Sequence, residues 1–165
     1  TLVMEYHRRN GVDTRIVRIF NTYGPRMAVG DGRVISNFIV QALRGEPLTV
    51  YGDGGQTRCF CYVDDMIDGF MALMQYDGAD CGEPVNIGAS VEMSMSEVVN
   101  ALGGILERKL PVTQCPLPHD DPVRRRPDCS RALQRLDWQP RVTLDAGLRR
   151  TVEYFRARLK GGMTL

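Results

Sequence analysis

Apolar positions recur at two different periods along the 165 residues, and the alternation between them outlines the elements. Leu2, Val3 and Tyr6 fall on one side of a helical turn that ends where Gly11 stands in a C-capping position, so "TLVMEYHRRN" reads as the end of a helix. "TRIVRIF" alternates and then closes in continuous apolar residues, the pattern of a strand buried deep in a sheet. Ile35, Phe38, Ile39, Ala42 and Leu43 return to helical spacing and stop at Gly45 and Pro47. The strand "LTVYG", the polar loop "DGGQT", the strand "CFCYV" and a helix from Asp64 to about Gln75 follow.

The second half continues in the same way. "PVNIG" is a short strand, and Ser94 with Glu97 forms a capping box that opens the helix "SEVVNALGGILE". "LPVTQCP" is extended, and "LPHDDPVRRRPD" is too rich in proline and charge to be regular. Asp128 is placed to cap "CSRALQRLDW", and Leu144, Leu148, Val152, Phe155 and Leu159 define a last amphipathic helix. Short strands alternating with helices predict a mixed α/β fold, part of a larger α/β protein.

Composition narrows the partners. With 43% hydrophobic residues the chain can bury a core, and a net charge of +1 gives no reason to expect nucleic acid or an acidic membrane. No apolar run is long enough to span a bilayer, and the N-terminal residues lack a signal-peptide layout. Five cysteines without C-x-x-C spacing argue against a disulfide framework and a metal site, and fit a reducing cytoplasm. Cys59 and Cys61 alternate within a strand and read as small buried hydrophobes.

Three polar stretches carry candidate chemistry. "RIFNTYGPRM" runs from a strand end directly into polar residues, where open α/β sheets bind ligands. Asn21 there can donate its amide to a phosphate or sugar oxygen, or serve only its own turn. Arg58 follows a Gly-rich loop, where its planar guanidinium can reach a diphosphate through two parallel bonds or simply lie on the surface. Arg124, Arg125 and Arg126 can pin an anion, or be neutralised by Asp120, Asp121 and Asp128.

Taken in order, "RIFNTYGPRM", "DGRVISNFIVQALRGEPLTVYGDGGQTRCFCYVDDM", "PVNIG" and "DDPVRRRPD" resemble landmarks of the extended short-chain dehydrogenase/reductase superfamily. Within it the chain is most similar to the UDP-glucuronic acid decarboxylase family; nucleotide-sugar 4,6-dehydratases share a looser version, and the same region of a 4,6-dehydratase or a 4-epimerase is the alternative. The resemblance implies a Rossmann NAD domain followed by a smaller nucleotide-sugar domain, with residues 1–32 ending the first and 33–165 forming mostly the second. It implies that NAD oxidises UDP-glucuronate at C4, that the β-keto acid loses carbon dioxide, and that the returned hydride gives UDP-xylose.

Carried onto this sequence, the resemblance assigns Asn21 to the diphosphate, Thr22 and Tyr23 to the nicotinamide end of the cofactor, and Arg33 to phosphate or cofactor. It assigns Arg58 and Arg125 to the diphosphate, Val50, Tyr51 and Phe38 to the base, and Tyr6 to the sugar. The family's G-x-x-G-x-x-G turn and Y-x-x-x-K pair do not occur in these residues. The positions four beyond the six tyrosines are Asn10, Met27, Gly55, Met66, Asp80 and Arg158. The chain therefore reads as the carboxyl-terminal half of such an enzyme, inactive alone, NAD binding by it alone not expected, and exposing apolar surface near "TRIVRIF" through which it self-associates. The whole enzyme is expected to be a homodimer. Ala28 departs from relatives, which often have a polar residue after "GPRM". A non-catalytic nucleotide-sugar-binding or interaction module is the alternative from another class.

Overall fold

The computed structural model describes residues 2–78, 80, 82–119 and 122–161. It is a mixed α/β structure built largely from parallel strand pairs. In chain order the elements are α1 (Leu2–Asn10), β1 (Val17–Ile19), β2 (Thr22–Tyr23), α2 (Val34–Arg44), β3 (Leu48–Tyr51), β4 (Thr57–Cys59), β5 (Cys61–Tyr62), α3 (Val63–Gln75), β6 (Val85–Ile87), β7 (Glu92–Ser94), α4 (Met95–Ile105), β8 (Val112–Cys115), β9 (Arg124–Arg125), α5 (Ser130–Leu136) and α6 (Leu144–Lys160). The pairs β1–β6, β2–β5 and β3–β8 are parallel, while β4 is the centre of a three-stranded sheet, antiparallel to β7 and parallel to β9.

Local chemistry explains several helix ends. Gly11 donates to the His7 carbonyl at φ 64°, as the C-cap of α1 should. Gly45, at φ 76°, closes α2 by donating to Ala42 O while Glu46 donates to Gln41 O, two orphan carbonyls satisfied together. At the start of α4 the Ser94 hydroxyl accepts from the Glu97 amide at 3.1 Å, and the Ser94 amide donates to the Glu97 carboxylate at 2.7 Å. The Asp128 carboxylate accepts from the Ser130 amide at 2.9 Å, but α5 starts at Ser130 with Cys129 as its N-cap, one residue later than the sequence pattern places it.

Two differences from the sequence reading matter for the site. The expected single strand "CFCYV" is broken at Phe60: Thr57–Cys59 belongs to the three-stranded sheet, whereas Cys61–Tyr62 pairs with β2. The chain thus crosses between sheets within one residue and ties Arg58 to the Asn21–Thr22 loop. The stretch expected to be irregular contains β9, since Arg124 and Arg125 pair with Thr57 and Arg58.

Apolar side chains gather in two clusters. The larger one packs Ile35, Phe38 and Ile39 of α2 and Val98 and Leu102 of α4 against Leu148, Val152 and Phe155 of α6, around Leu48 and Val50 of β3. The second holds Cys59, Cys61, Met66, Leu73, Val85, Ile87 and Trp138. Both cysteines are 1% exposed, and burial pushes the Cys61 thiol up to about 12, so they behave as apolar filler. The buried Asp65 carboxylate accepts from the Val142 amide at 2.9 Å, and the Asp65 carbonyl accepts from the Trp138 indole at 3.0 Å, joining α3 to the segment before α6.

Candidate functional site

A cavity of about 420 Å³ opens where the β1 end, the loop after it, the start of α2, β3 and β4 converge. Of the residues singled out above, Asn21, Thr22, Arg33, Phe38, Tyr51 and Arg58 line it together. Half the wall is apolar, with Ile19, Phe20, Met27, Phe60 and Met95 adding to Phe38, and the polar groups are few and convergent, as in a small-molecule site.

Asn21 is held by its backbone, whose carbonyl accepts from the Cys61 amide at 2.9 Å, and its side-chain amide makes no hydrogen bond among the described residues. The amide is therefore not spent on its own turn. Thr22 donates its hydroxyl to the Phe20 carbonyl at 2.9 Å, which tightens the loop. Gly24 has φ 150°, and a Cβ there would meet Val63 Cγ1 at 2.5 Å, so only glycine lets the loop close against α3.

Arg58 is 8% exposed although it carries a full charge. Its Nη1 donates to the Thr57 carbonyl at 2.8 Å and to the Val123 carbonyl at 3.5 Å, which holds the guanidinium at the cavity wall. A desolvated guanidinium at a cavity wall offers a planar fork of donors of the kind that suits an anion. Arg33 is the exposed N-cap of α2, provides no side-chain cap, and lies 3.9 Å from Asp31. It lines this cavity and a neighbouring one of about 330 Å³ formed by Thr22, Tyr23, Gly24 and Pro25. A helix start facing a cavity favours negative charge there.

Arg125 is exposed and does not line the cavity, yet it is the register partner of Arg58 across β4–β9. Side chains alternate across a sheet, so Arg58, Met93 and Arg125 share one face, while Thr57, Glu92 and Arg124 share the other. On that other face Arg124 donates to both Glu92 oxygens at 2.6 and 2.5 Å, and Arg126 lies 3.7 Å from the same carboxylate. Glu92 thus faces both flanking arginines. Asp120 and Asp121 lie outside the described residues, and Asp128 is turned to Ser130.

Three candidates sit elsewhere. Tyr23 is 1% exposed in the larger core, its hydroxyl donating to Leu144 O at 3.3 Å, and burial pushes its phenol well above the usual range. The residue also borders the smaller cavity. Val50 is 4% exposed and packed in the larger core, and Tyr6 lies on α1, 54% exposed; neither lines the cavity. Gln56 and Phe60 do line it, though sequence reasoning did not single them out. Gln56 donates to the Tyr51 carbonyl at 2.7 Å and braces the loop, and its place between two glycines and Arg58 was the available signal.

A family profile described as the NAD dependent epimerase/dehydratase family matches residues 1–88, more than half the chain. The chain belongs to that family. Among curated relatives it is 50% identical over 159 residues to UDP-glucuronic acid decarboxylase 5 of Arabidopsis thaliana, covering 96% of this chain and 46% of that protein. It is 43% identical over 160 residues to UDP-glucuronic acid decarboxylase 1 of Danio rerio, covering 97% of this chain and 38% of that protein. This epimerase/dehydratase-family chain thus spans less than half the length of these relatives.

Solved structures agree on the fold. The UDP-glucuronic acid 4-epimerase of Bacillus cereus, in complex with UDP-glucuronic acid and NAD, superposes with a TM-score of 0.88 at 31% identity, over 94% of this chain and 49% of that one. A dTDP-glucose 4,6-dehydratase of Streptomyces venezuelae with NAD bound gives 0.85 at 28% identity, over 97% and 49%. The fold is that of Rossmann-type epimerases and dehydratases.

Proposed function

We propose that the protein carrying this chain is an NAD-dependent UDP-glucuronate decarboxylase and that this chain supplies much of its nucleotide-sugar site. The observation that carries this reading is Arg58, nearly buried at the cavity wall with Arg125 beside it on the same sheet face. The 50% identity to decarboxylases, against 31% to the epimerase, favours that branch.

In this reading the UDP diphosphate lies against Arg58 and Arg125, with the Asn21 amide donating to it. Phe38, Tyr51 and the backbone near Val50 border the base, and the apolar wall excludes water from the sugar. Arg33 reaches the phosphates or the cofactor from the helix start. Tyr6, on a separate exposed helix, reaches the sugar only if the ligand extends beyond the cavity. Residues 1–32 belong with the dinucleotide-binding part and 33–165 mostly with the nucleotide-sugar part; the pairing of β2 with β5 and β1 with β6 supports segments of the second returning to the first.

Bound NAD supplies hydride acceptance and return at the sugar's C4. The residues here fit only one edge of it. Thr22 and Tyr23 border the smaller cavity, but the described residues contain no glycine-rich strand-to-helix turn to cradle a pyrophosphate. Nor does this sequence hold a Y-x-x-x-K pair to move a proton at C4, a loss worth about two to four powers of ten in rate. This chain by itself, given UDP-glucuronate and NAD, is accordingly expected to form no UDP-xylose. The protein that carries it is expected to release carbon dioxide and yield UDP-xylose. Formation of UDP-galacturonate without carbon dioxide would instead identify a 4-epimerase. No helix among the described residues is long and apolar enough to cross a membrane, and a cytoplasmic enzyme working as a homodimer is the setting we propose.

A further inference from the structure

We infer that Glu92 is a positioning residue for the nucleotide diphosphate: its carboxylate clasps Arg124 on the far face of the β7–β4–β9 sheet and thereby presents Arg125 beside Arg58 on the near face. The inference rests on the diphosphate reading above and concerns a residue that does not line the cavity.

β9 is two residues long and, among the described residues, lies at the edge of its sheet with β4 as its strand partner. So short a ladder specifies its register weakly, and a slip of one residue would exchange the faces of all its side chains. The sequence offers three consecutive arginines, so a slip would put Arg124 or Arg126 where Arg125 stands. Something must choose among them.

Glu92 makes that choice from β7. It is the register partner of Cys59, on the face opposite Arg58. Its Oε1 accepts from the Thr57 hydroxyl at 2.9 Å and from Arg124 Nε at 2.6 Å, and its Oε2 accepts from Arg124 Nη2 at 2.5 Å. One carboxylate therefore spans all three strands, gripping β9 by a planar fork and β4 by a hydroxyl. Arg126, 3.7 Å from the same carboxylate, adds a second attraction of the same parity. With both flanking arginines drawn to the far face, Arg125 is the one left on the near face.

This account opposes simple electrostatics in sign. A carboxylate near a diphosphate site repels the ligand, so deleting it should tighten binding if charge alone mattered. A positioning role predicts the reverse.

The test is a double-mutant cycle read by calorimetric titration of UDP into the protein that carries this chain, in the variants Glu92→Ala, Arg125→Ala and both. Glu92→Ala should weaken UDP binding about fivefold, and should change it less than about twofold once Arg125 is already alanine. Arg124→Gln, which opens the clasp from the other side, should give the same few-fold loss with the same dependence on Arg125, and it decides the matter if Glu92→Ala does not fold. Unchanged or tighter binding, or an equal loss with and without Arg125, overturns the inference while the diphosphate reading stands. Failure of the unmutated protein to bind UDP overturns both.

Discussion

Arg58 and Arg125 are register partners in adjacent parallel strands and lie on the same face of their sheet, the face that borders the cavity. Arg124 and Arg126 have the opposite parity and face Glu92. Arg125→Ala should therefore weaken UDP binding by about one to two powers of ten. Arg124→Ala should cost only the few-fold loss expected from opening its clasp, and Arg126→Ala less than about twofold. Calorimetry on the three variants checks this, and equal small losses at all three would reduce the run to a solvated basic loop.

Arg58 should not tolerate replacement by lysine. Its guanidinium bonds two carbonyls and lines the cavity, and an ammonium is a point charge without the planar fork that matches a diphosphate. Arg58→Lys is expected to lose UDP affinity nearly as fully as Arg58→Ala. Near-normal affinity in the lysine variant would show that a point charge suffices.

Gly147 packs α6 against Tyr23 of β2 and Tyr62 of β5. A Cβ there would lie 2.1 Å from the Tyr23 hydroxyl and 2.9 Å from the Tyr62 ring, both in the packed core. Gly147→Ala should destabilise the fold by about 1–3 kcal/mol through overpacking and lower the thermal midpoint. Tyr23→Phe, which removes only a hydroxyl bonded to Leu144 O, should leave UDP affinity unchanged. An unaltered midpoint in the first variant would mean that α6 shifts freely.

Acid should weaken the protein partly through Glu92. The Arg124 guanidinium that donates to it, together with Thr57, holds its carboxyl down at about 2, against an ordinary value of 4.5. A carboxyl depressed in the folded state stabilises fully above its unfolded value and loses that contribution as pH falls toward 2. Between about pH 4.5 and 2, Glu92→Gln should therefore show a shallower fall in thermal midpoint than the unmutated protein. Parallel curves would show that the clasp contributes nothing.

Leu2, Val3 and Tyr6 on α1 and Ile19 on β1 are all about half exposed or more, and β1 has β6 as its one strand neighbour among the described residues. Such a face and open edge favour association. Sedimentation of this 165-residue chain is expected to show concentration-dependent self-association; a monomer at high concentration would count against it.

The helices were legible because their signals are local. Gly45 stops α2, the Ser94–Glu97 box starts α4, and Leu148, Val152 and Phe155 share the face of α6 that enters the core. The cavity was legible in part: six of the residues singled out line it, because a polar loop after an apolar strand and an arginine after a Gly-rich loop are sequence-visible features, although β1 itself is more exposed than its apolar pattern predicts. The strand β9 was not, since two arginines become a strand only through pairing with Thr57 and Arg58 far away in sequence. The break at Phe60 was hidden for the same reason, as an apolar run looks continuous whichever sheet each half joins. The core placement of Val50 and Tyr23 depends on α2, α4 and α6 closing over them, which no local pattern specifies.

The Arg58 cavity is expected to bind a nucleotide through its diphosphate. Titration of UDP and of uridine into the protein that carries this chain, and into the Arg58→Ala, Arg125→Ala double variant, tests it most directly. UDP should bind at least about a hundredfold more tightly than uridine, and the double variant should erase most of that difference while leaving uridine binding unchanged. Equal affinities for UDP and uridine, or an undiminished preference for UDP in the double variant, would contradict the account.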